Sequence, residues 1–130
     1  MGSDVVTKDY ANLVAARSNG LVADGWLPDV LPSSAVEIHT SNNLDINISW
    51  GRFSFNPAHY TQFSSKVRPY SPIQSRLANL AERVTEKTGE GYIISTYSAD
   101  ALVWVFFCKP SQGQCEYEMW SERKYVQGSN

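Results

Sequence analysis

The sequence predicts an α+β protein, with an antiparallel sheet of about five strands and helices packed on one face of that sheet. Three observations predict this class: segments of helical periodicity, segments in which apolar and polar residues alternate, and short turn-like links between the alternating segments. Strands joined by short links form antiparallel hairpins. The predicted order of elements is α-β-β-α-α-β-β-β. The length of 130 residues corresponds to one domain, 1–130, whose residues 1–3 resemble an expression-vector remnant.

Three segments have the periodicity of helices. The first covers residues 7–18, and Thr7 is a suitable capping residue for it. The second follows Asn56 and begins with a proline, which is a favoured first-turn residue. The third runs from Ser71 to about Gly89 and has the clearest pattern. Its apolar residues follow the 3.6-residue period at Ile73, Leu77, Leu80, Ala81 and Val84.

Five segments are predicted strands: residues 35–40, 44–50, 92–98, 101–108 and 115–120. After Trp50 the apolar positions change from even to odd numbers, and Gly51-Arg52 at this phase break predicts a β-bulge. Residues 101–108 are apolar without interruption, which favours a central strand that is covered on both faces.

The segment GWLPDVLP, residues 25–32, is too rich in proline for a helix or a central strand. Each proline fixes its own φ angle and moves the leucine before it towards an extended conformation, so the segment is stiff before the chain folds. One interpretation is a structural strap, in which Leu27, Val30 and Leu31 cover the end of the core. The other is a binding element with Trp26 as its exposed anchor, since tryptophan is enriched at interface hot spots.

Cys108 and Cys115 predict a disulfide. They flank the segment KPSQGQ, which is rich in turn residues. If Lys109 pairs with Gln114, the cysteines lie opposite each other on adjacent strands, with Cα atoms about 4.5–5.5 Å apart, which is within disulfide range. A disulfide would place the chain in an oxidising compartment. The alternative is a pair of reduced thiols in a cytosolic protein.

Composition and charge argue against several classes of protein. The 42% of apolar and 18% of charged residues are typical of a globular chain rather than a disordered one. The formal charge of −2 and the scattered basic residues argue against a nucleic-acid partner. No apolar run is long enough to span a membrane, although a lipid anchor on a removed N-terminal segment is compatible with the sequence. No metal or cofactor is predicted, because the cysteines and histidines lack ligand spacing and no phosphate-binding loop is present.

The first 55 residues or so resemble a group of uncharacterised bacterial proteins, many of which are exported or lipoprotein-like. The similarity rests on the motifs at Trp26–Pro28, Leu31-Pro32, Ser34-Ala35, Asp45–Asn47 and Trp50–Phe53. A preceding helix with Tyr10 and Ala15-Ala16 also fits this pattern. The resemblance implies a periplasmic or envelope-associated protein of a bacterium, and it implies no established activity.

A polar cluster is the candidate binding site. Asp45 and Asn47 share one strand face, His39 is expected on the neighbouring strand, and the predicted bulge would reorient Arg52 towards them. Together with Trp26, these are the predicted binding residues.

No catalytic residue is predicted, because no nucleophile elbow is present and His59 is expected at the surface of a helix. Glu116 and Glu118 share a strand face at about 6.6–6.8 Å, which two catalytic acids could use but which is more typical of a solvated face.

The sequence therefore predicts a non-enzymatic module of the bacterial envelope that binds another protein, with an immunity or inhibitor protein as one concrete form. Two alternatives stay open. The first is a small enzyme or ligand-binding domain that uses His39, Asp45, Asn47 and Arg52, and the second is a structural accessory domain. The oligomeric state is left open.

Overall fold

One antiparallel sheet of seven strands organises the computed structural model, which describes residues 5–122. The order across the sheet is β1-β2-β3-β7-β6-β5-β4. The strands are β1 (Val5–Asn12), β2 (Val36–Asn43), β3 (Ile48–Ser54), β4 (Arg68–Pro69), β5 (Ile93–Ala99), β6 (Leu102–Lys109) and β7 (Gln114–Ser121). The α-helices are α1 (Leu13–Ser18), α2 (Tyr60–Ser64) and α3 (Leu80–Gly89). Single turns of 3-10 helix lie at Pro57–His59 and Pro110–Gln112.

The predicted fold class is wrong. The protein is mostly β, and its helices are too small to form a layer on a five-stranded sheet. The first predicted helix, residues 7–18, is divided. Its N-terminal part forms β1, which pairs with β2 over its whole length, and α1 begins only at Leu13. Asn12 caps α1 by accepting the N–H of Ala15 at 2.9 Å, a role that the sequence had placed at Thr7.

The third predicted helix is also shorter than expected. Residues 70–79 contain no helix, and α3 starts at Leu80, directly after Asn79 with its φ of 60°. The Arg76 guanidinium holds this irregular segment in place, because it donates to the carbonyls of Ser121 at 2.8 Å and Ile46 at 2.9 Å. These tertiary hydrogen bonds outweigh the helical periodicity of the segment. No helix among residues 5–122 has the length and apolarity needed to cross a bilayer.

The predicted bulge at Gly51-Arg52 is wrong as well. β3 pairs regularly with β7 from Ile48 to Ser54, and the register shift between β2 and β3 lies on β2, where Glu37 has a φ of 50°. The change of phase after Trp50 has another cause. Both faces of the sheet carry apolar side chains, so Trp50 and Phe53 point to opposite sides of an unbroken strand.

One face of the sheet, here called the strap face, carries the larger core. Helices α1 and α2 and the proline-rich segment cover it. Leu27, Val30 and Leu31 are buried there, as expected for a strap, and contribute to one cluster with Phe53 and Phe106. This segment forms neither helix nor strand, in agreement with its prolines.

The opposite face, here called the helix face, has a smaller core. Leu80 and Val84 of α3 pack there against Val103, Val105, Phe107 and Trp120. Helices therefore lie on both faces of the sheet, not on one as predicted. Residues 103–108 are buried on both faces, as expected, although β7 and not β6 is the middle strand.

The predicted disulfide is confirmed. Cys108 and Cys115 are direct partners in the β6–β7 pair, with their Cα atoms 4.1 Å apart and their sulfurs bonded. The connecting turn ends at Gly113, whose φ is 63°. A Cβ atom at this position would lie 2.2 Å from the Phe55 carbonyl oxygen, so glycine is required both by the backbone and by the close packing.

Candidate functional site

Among residues 5–122, helix α3 covers only the C-terminal strands of the helix face, and none of the described helices covers the part formed by β1, β2 and β3. We call this uncovered part the open face. Its side chains form cross-strand rows, because directly opposed residues in an antiparallel sheet project to the same side. One row is Asp9, His39, Arg52 and Glu116, and the next is Thr7, Ser41, Trp50 and Glu118.

A groove of about 510 Å³ runs between β3 and the chain that leads into α3. Ile48 and Trp50 form one wall, and Arg76, Leu77 and Arg83 form the other. The Trp50 residue is 41% exposed, which is unusual for so large an apolar side chain.

A second depression of about 440 Å³, here called the polar pocket, adjoins the groove. Its lining includes Glu37, His39, Arg52 and Tyr92, and it shares Glu116 with the groove. The open face therefore presents the apolar groove next to the polar pocket.

Both carboxylates of the groove floor are bound by cations from α3. The Arg83 guanidinium holds Glu118 in a two-point contact, at 2.8 Å from Nε and 2.5 Å from the second nitrogen. The Lys87 ammonium lies 3.1 Å from Glu116, which also accepts from the Tyr92 hydroxyl at 3.4 Å. Arg83 and Lys87 are one helical turn apart, so they lie on the same side of α3.

These contacts change the acid–base properties of the two cations. The hydrogen bond to Glu118 raises the pKa of Arg83 above its usual value. Burial lowers the pKa of Lys87, but the hydrogen bond and charge of Glu116 outweigh this effect, so the pKa of Lys87 is raised overall. Both cations therefore hold their protons more strongly than the free side chains do.

Two other arginines on this surface have no carboxylate partner within residues 5–122. Arg76 is fixed by the backbone carbonyls described above, and Arg52 makes neither an ion pair nor a side-chain hydrogen bond in this part of the chain. Glu116 is directly opposite Arg52 in the sheet, but its carboxylate is turned to Lys87 and Tyr92. The guanidinium donors of Arg52 are thus not used by any other group of residues 5–122.

Gly51 separates Trp50 from Arg52 on β3 and allows close packing beneath the groove. A Cβ atom there would lie 2.1 Å from the His39 carbonyl oxygen and 2.8 Å from the Tyr117 hydroxyl. The Tyr117 side chain is fully buried on the strap face, and its burial raises the pKa of the phenol, with nearby Ser49 opposing this in part.

The structure brings together two of the predicted site residues and separates the others. His39 and Arg52 are direct partners in the β2–β3 pair, and both line the polar pocket. Asp45 and Asn47 lie instead in the turn that joins β2 to β3, where the Asp45 N–H donates to the side chain of Asn43 at 3.0 Å. Their positions were predicted wrongly because residues 44–47 were taken as part of a strand, whereas β3 begins only at Ile48.

Trp26 is half-buried and packs against the strap-face core, and its carbonyl accepts the indole N–H of Trp104 at 3.2 Å. The exposed tryptophan is Trp50, which sequence reasoning missed as a site residue. One signal was available in the sequence. In an unbroken strand, Trp50 shares a face with the charged Arg52 and lies on the face opposite Phe53. Asp9 was missed too, because residues 7–18 were read as a helix; its carboxylate pairs with Nδ1 of His39.

The described part of the chain holds no group of three or more histidine, cysteine, aspartate or glutamate residues arranged to bind a metal ion. A serine–histidine contact does occur, at 2.9 Å between Ser34 Oγ and His59 Nδ1. The same Ser34 oxygen accepts the N–H of Asn56 at 3.0 Å, so it ties the chain that follows the strap to the chain after β3. No carboxylate within residues 5–122 orients His59, and this contact lacks the third member of a catalytic set.

Fold and site together define an antiparallel β-sheet domain with a surface groove beside one helix. A family model described as the YbbD head domain matches residues 4–54, which is less than half of the chain. The match ends with β3, so it covers the strands of the open face and the strap. Neither a curated protein nor a solved structure matches the chain.

Proposed function

We propose that this protein is a non-enzymatic binding module that binds another protein through the groove of the open face. The observation that carries this proposal is Trp50, exposed over an apolar groove of about 510 Å³ and flanked by arginine side chains. Tryptophan and arginine are the residue types most enriched at the energetic centres of protein interfaces. An exposed tryptophan also costs free energy in water, and a partner that covers it recovers that energy.

The proposed setting is the bacterial envelope. The Cys108–Cys115 disulfide supports it, since structural disulfides persist mainly in oxidising compartments such as the periplasm. An immunity or inhibitor protein is the narrower form of the proposal, and the small size of the chain and its aromatic surface support that form.

A second candidate function uses the polar pocket. His39, Arg52 and Glu116 line a depression of about 440 Å³, and these side chains could bind a small polar ligand by hydrogen bonds. This candidate requires a ligand whose binding depends on His39 and Arg52 but not on Trp50.

A capture experiment with paired variants tests the first proposal. Tagged wild-type protein is incubated with an envelope extract of the source organism, and the amount of each captured protein is quantified. Trp50→Ala should reduce capture of the specific partner by more than tenfold, as expected for an interface hot spot. Ile93→Ala is the matched control, because Ile93 is 49% exposed but lies outside the groove. Equal capture by all three proteins would contradict the proposal.

A further inference from the structure

We infer that the polar pocket binds a zwitterion, a small molecule with adjacent ammonium and carboxylate groups, such as an α-amino acid. Arg52 binds the carboxylate and Glu37 binds the ammonium. This inference rests on the second candidate function proposed above and adds the chemistry of the ligand. It follows from which charges of the pocket are paired within the protein and which are not.

Two charged residues of the pocket lining are bound by residues outside that lining. The carboxylate of Glu116 is held by the Lys87 ammonium at 3.1 Å. The Nδ1 atom of His39 is bound by the Asp9 carboxylate. Because these groups already have partners of opposite character, they do not determine the charge that a ligand of the pocket carries.

One cation and one anion of the lining have no ion-pair partner among residues 5–122. Arg52 forms neither an ion pair nor a side-chain hydrogen bond there, and Glu37 accepts only the hydroxyl of Ser54, at 3.2 Å. Arg52 and Glu37 line the same depression but do not pair with each other. A further cation nearby, Lys109, lies 4.6 Å from the centre of the Tyr92 ring and does not line the pocket.

The presence of one free charge of each sign selects the kind of ligand. A simple anion bound to Arg52 lies near the Glu37 carboxylate and is repelled by it, and a simple cation bound to Glu37 is repelled by Arg52. A ligand that carries both charges is attracted at both ends, and each end forms a charge-assisted hydrogen bond. The pocket therefore favours a ligand that has two charged groups but no net charge.

The spacing of the two charged side chains suits adjacent groups on the ligand. Ser54 holds the Glu37 carboxylate two residues from Arg52 along β3, on the same face. Positions two residues apart on a strand are separated by about 6.6–6.8 Å. An α-amino acid with a hydrogen bond at each end bridges about 8 Å between protein groups, and the flexible arginine side chain covers the difference. The pocket volume of about 440 Å³ is large enough for such a ligand.

The backbone at Glu37 supports the inference independently of the charges. Glu37 lies in the register shift of β2 and has a φ of 50°, which residues with a side chain rarely adopt. Such conformations and β-bulges are frequent beside binding sites, where they reorient a side chain. Here the irregular backbone places the Glu37 side chain next to Ser54 and within the pocket lining.

A titration of the full chain followed by nuclear magnetic resonance tests the inference. The probes are L-leucine, isocaproate, which lacks the ammonium group, and isoamylamine, which lacks the carboxylate. All three keep the same apolar group, so its contacts cancel in the comparison. The readout is the imidazole signal of His39, which is one of two histidines and is identified by its loss in His39→Gln. L-leucine should shift this signal and bind at least fivefold more tightly than either analogue.

Variants of the two free charges assign each end of the ligand. Arg52→Gln should weaken binding of L-leucine at least fivefold and reduce its preference over isoamylamine to less than twofold. Glu37→Gln keeps an acceptor for Ser54 and should instead remove the preference over isocaproate. Arg68→Gln is the matched control, because it removes a positive charge at the opposite edge of the sheet, and it should change the affinity less than twofold.

Three results would overturn the inference. Binding of isocaproate or isoamylamine as tight as that of L-leucine would make the pocket a site for a simple ion and leave the second candidate function in place. Weakening of L-leucine binding by Trp50→Ala as large as that by Arg52→Gln would place the ligand in the groove. An unchanged His39 signal with all three probes would exclude a zwitterion site, and the capture experiment with Trp50→Ala would still decide the protein-binding proposal separately.

Discussion

The two halves of the helix face belong to one sheet but have different surfaces. Under α3, Leu80 is 3% and Val84 8% exposed, and they rest on buried side chains of β6 and β7. On the open face, Trp50 is 41% exposed and its row continues with Ser41 and Thr7. A single cross-strand row shows the change: Arg52 is opposite Glu116, which is opposite the buried Phe107.

This difference shows that one sheet face can carry a packed core on one half and an exposed aromatic side chain on the other. The boundary between the halves is formed by β7, where cations of α3 neutralise the alternating glutamates. Helix α3 thus stabilises the covered half through apolar packing and fixes the wall of the groove through ion pairs. The open half contributes the exposed aromatic side chain of Trp50.

The largest expected effect is a loss in the free energy of unfolding when the covered half of the helix face is altered. Leu80→Ala should lower the free energy of unfolding by about 3 kcal/mol, because it removes most of an almost fully buried side chain from the smaller core. Urea denaturation followed by circular dichroism measures this change.

Trp50→Ala is the matched variant on the open face. It should cost about 1 kcal/mol or less, since much of the indole is already in contact with water. A loss as large as that of Leu80→Ala would show that the open half is structural, and the contrast between the halves would be lost.

The second effect concerns the hairpin that forms the floor of the covered half. Replacing both Cys108 and Cys115 by serine should destabilise the protein by about 2.5 kcal/mol, the chain-entropy value for a loop this short. If the halves unfold as one unit, the unfolding transitions followed by far-ultraviolet circular dichroism and by tryptophan fluorescence should have the same urea midpoint. Two separate midpoints would divide the sheet into independent parts. Reduction of the wild-type disulfide should reproduce the midpoint shift of the double variant.

Sequence reasoning found the features that depend on neighbours along the chain. The β6–β7 hairpin, its disulfide and the non-helical strap were predictable, since turn residues, alternation and prolines act locally. It failed where pairing with distant segments decided the structure. Residues 7–12 were predicted as the start of a helix but belong to β1, because β2 provides a partner for their backbone groups.

The candidate site was predictable in part for the same reason. His39 and Arg52 are opposed in the β2–β3 pair, but the bulge that was expected to turn Arg52 towards His39 is absent, and Arg52 lay beyond the predicted strand 44–50. Trp50 was not predicted as a site residue, because the change of phase after it was explained by a bulge and not by two apolar faces of one unbroken strand. Whether Trp50 is covered depends on how far α3 extends over the sheet, and no pattern within β3 contains that information.

The smallest expected effect at pH 7 is that of removing the buried hydroxyl of Tyr117. Its consequence appears under alkaline conditions, where it can be compared with that of Lys87 on the groove side of β7. Burial raises the pKa of Tyr117 above its ordinary value of 10. The unfolded chain therefore releases this proton first, and stability falls as the pH rises above 10. Tyr117→Phe should remove part of this loss. At pH 7 it should change stability by less than about 0.5 kcal/mol, because the hydroxyl forms no hydrogen bond of normal geometry with the described residues.

Two further variants show which groups are responsible for the loss of stability at alkaline pH. Burial also raises the pKa of Tyr60, which is only partly buried, so Tyr60→Phe should reduce the alkaline loss in the same direction but less. Lys87 has a pKa raised above 10.5, and its contribution is present below that pH and lost above it, so Lys87→Met tests the groove side. Urea unfolding from pH 8 to 11 measures all three slopes. The slope is the change in the free energy of unfolding with pH. If Lys87→Met reduces this slope more than Tyr117→Phe does, the ion pairs of the groove, and not the buried phenol, govern stability at alkaline pH. The open face would then be more strongly coupled to folding than its exposure indicates.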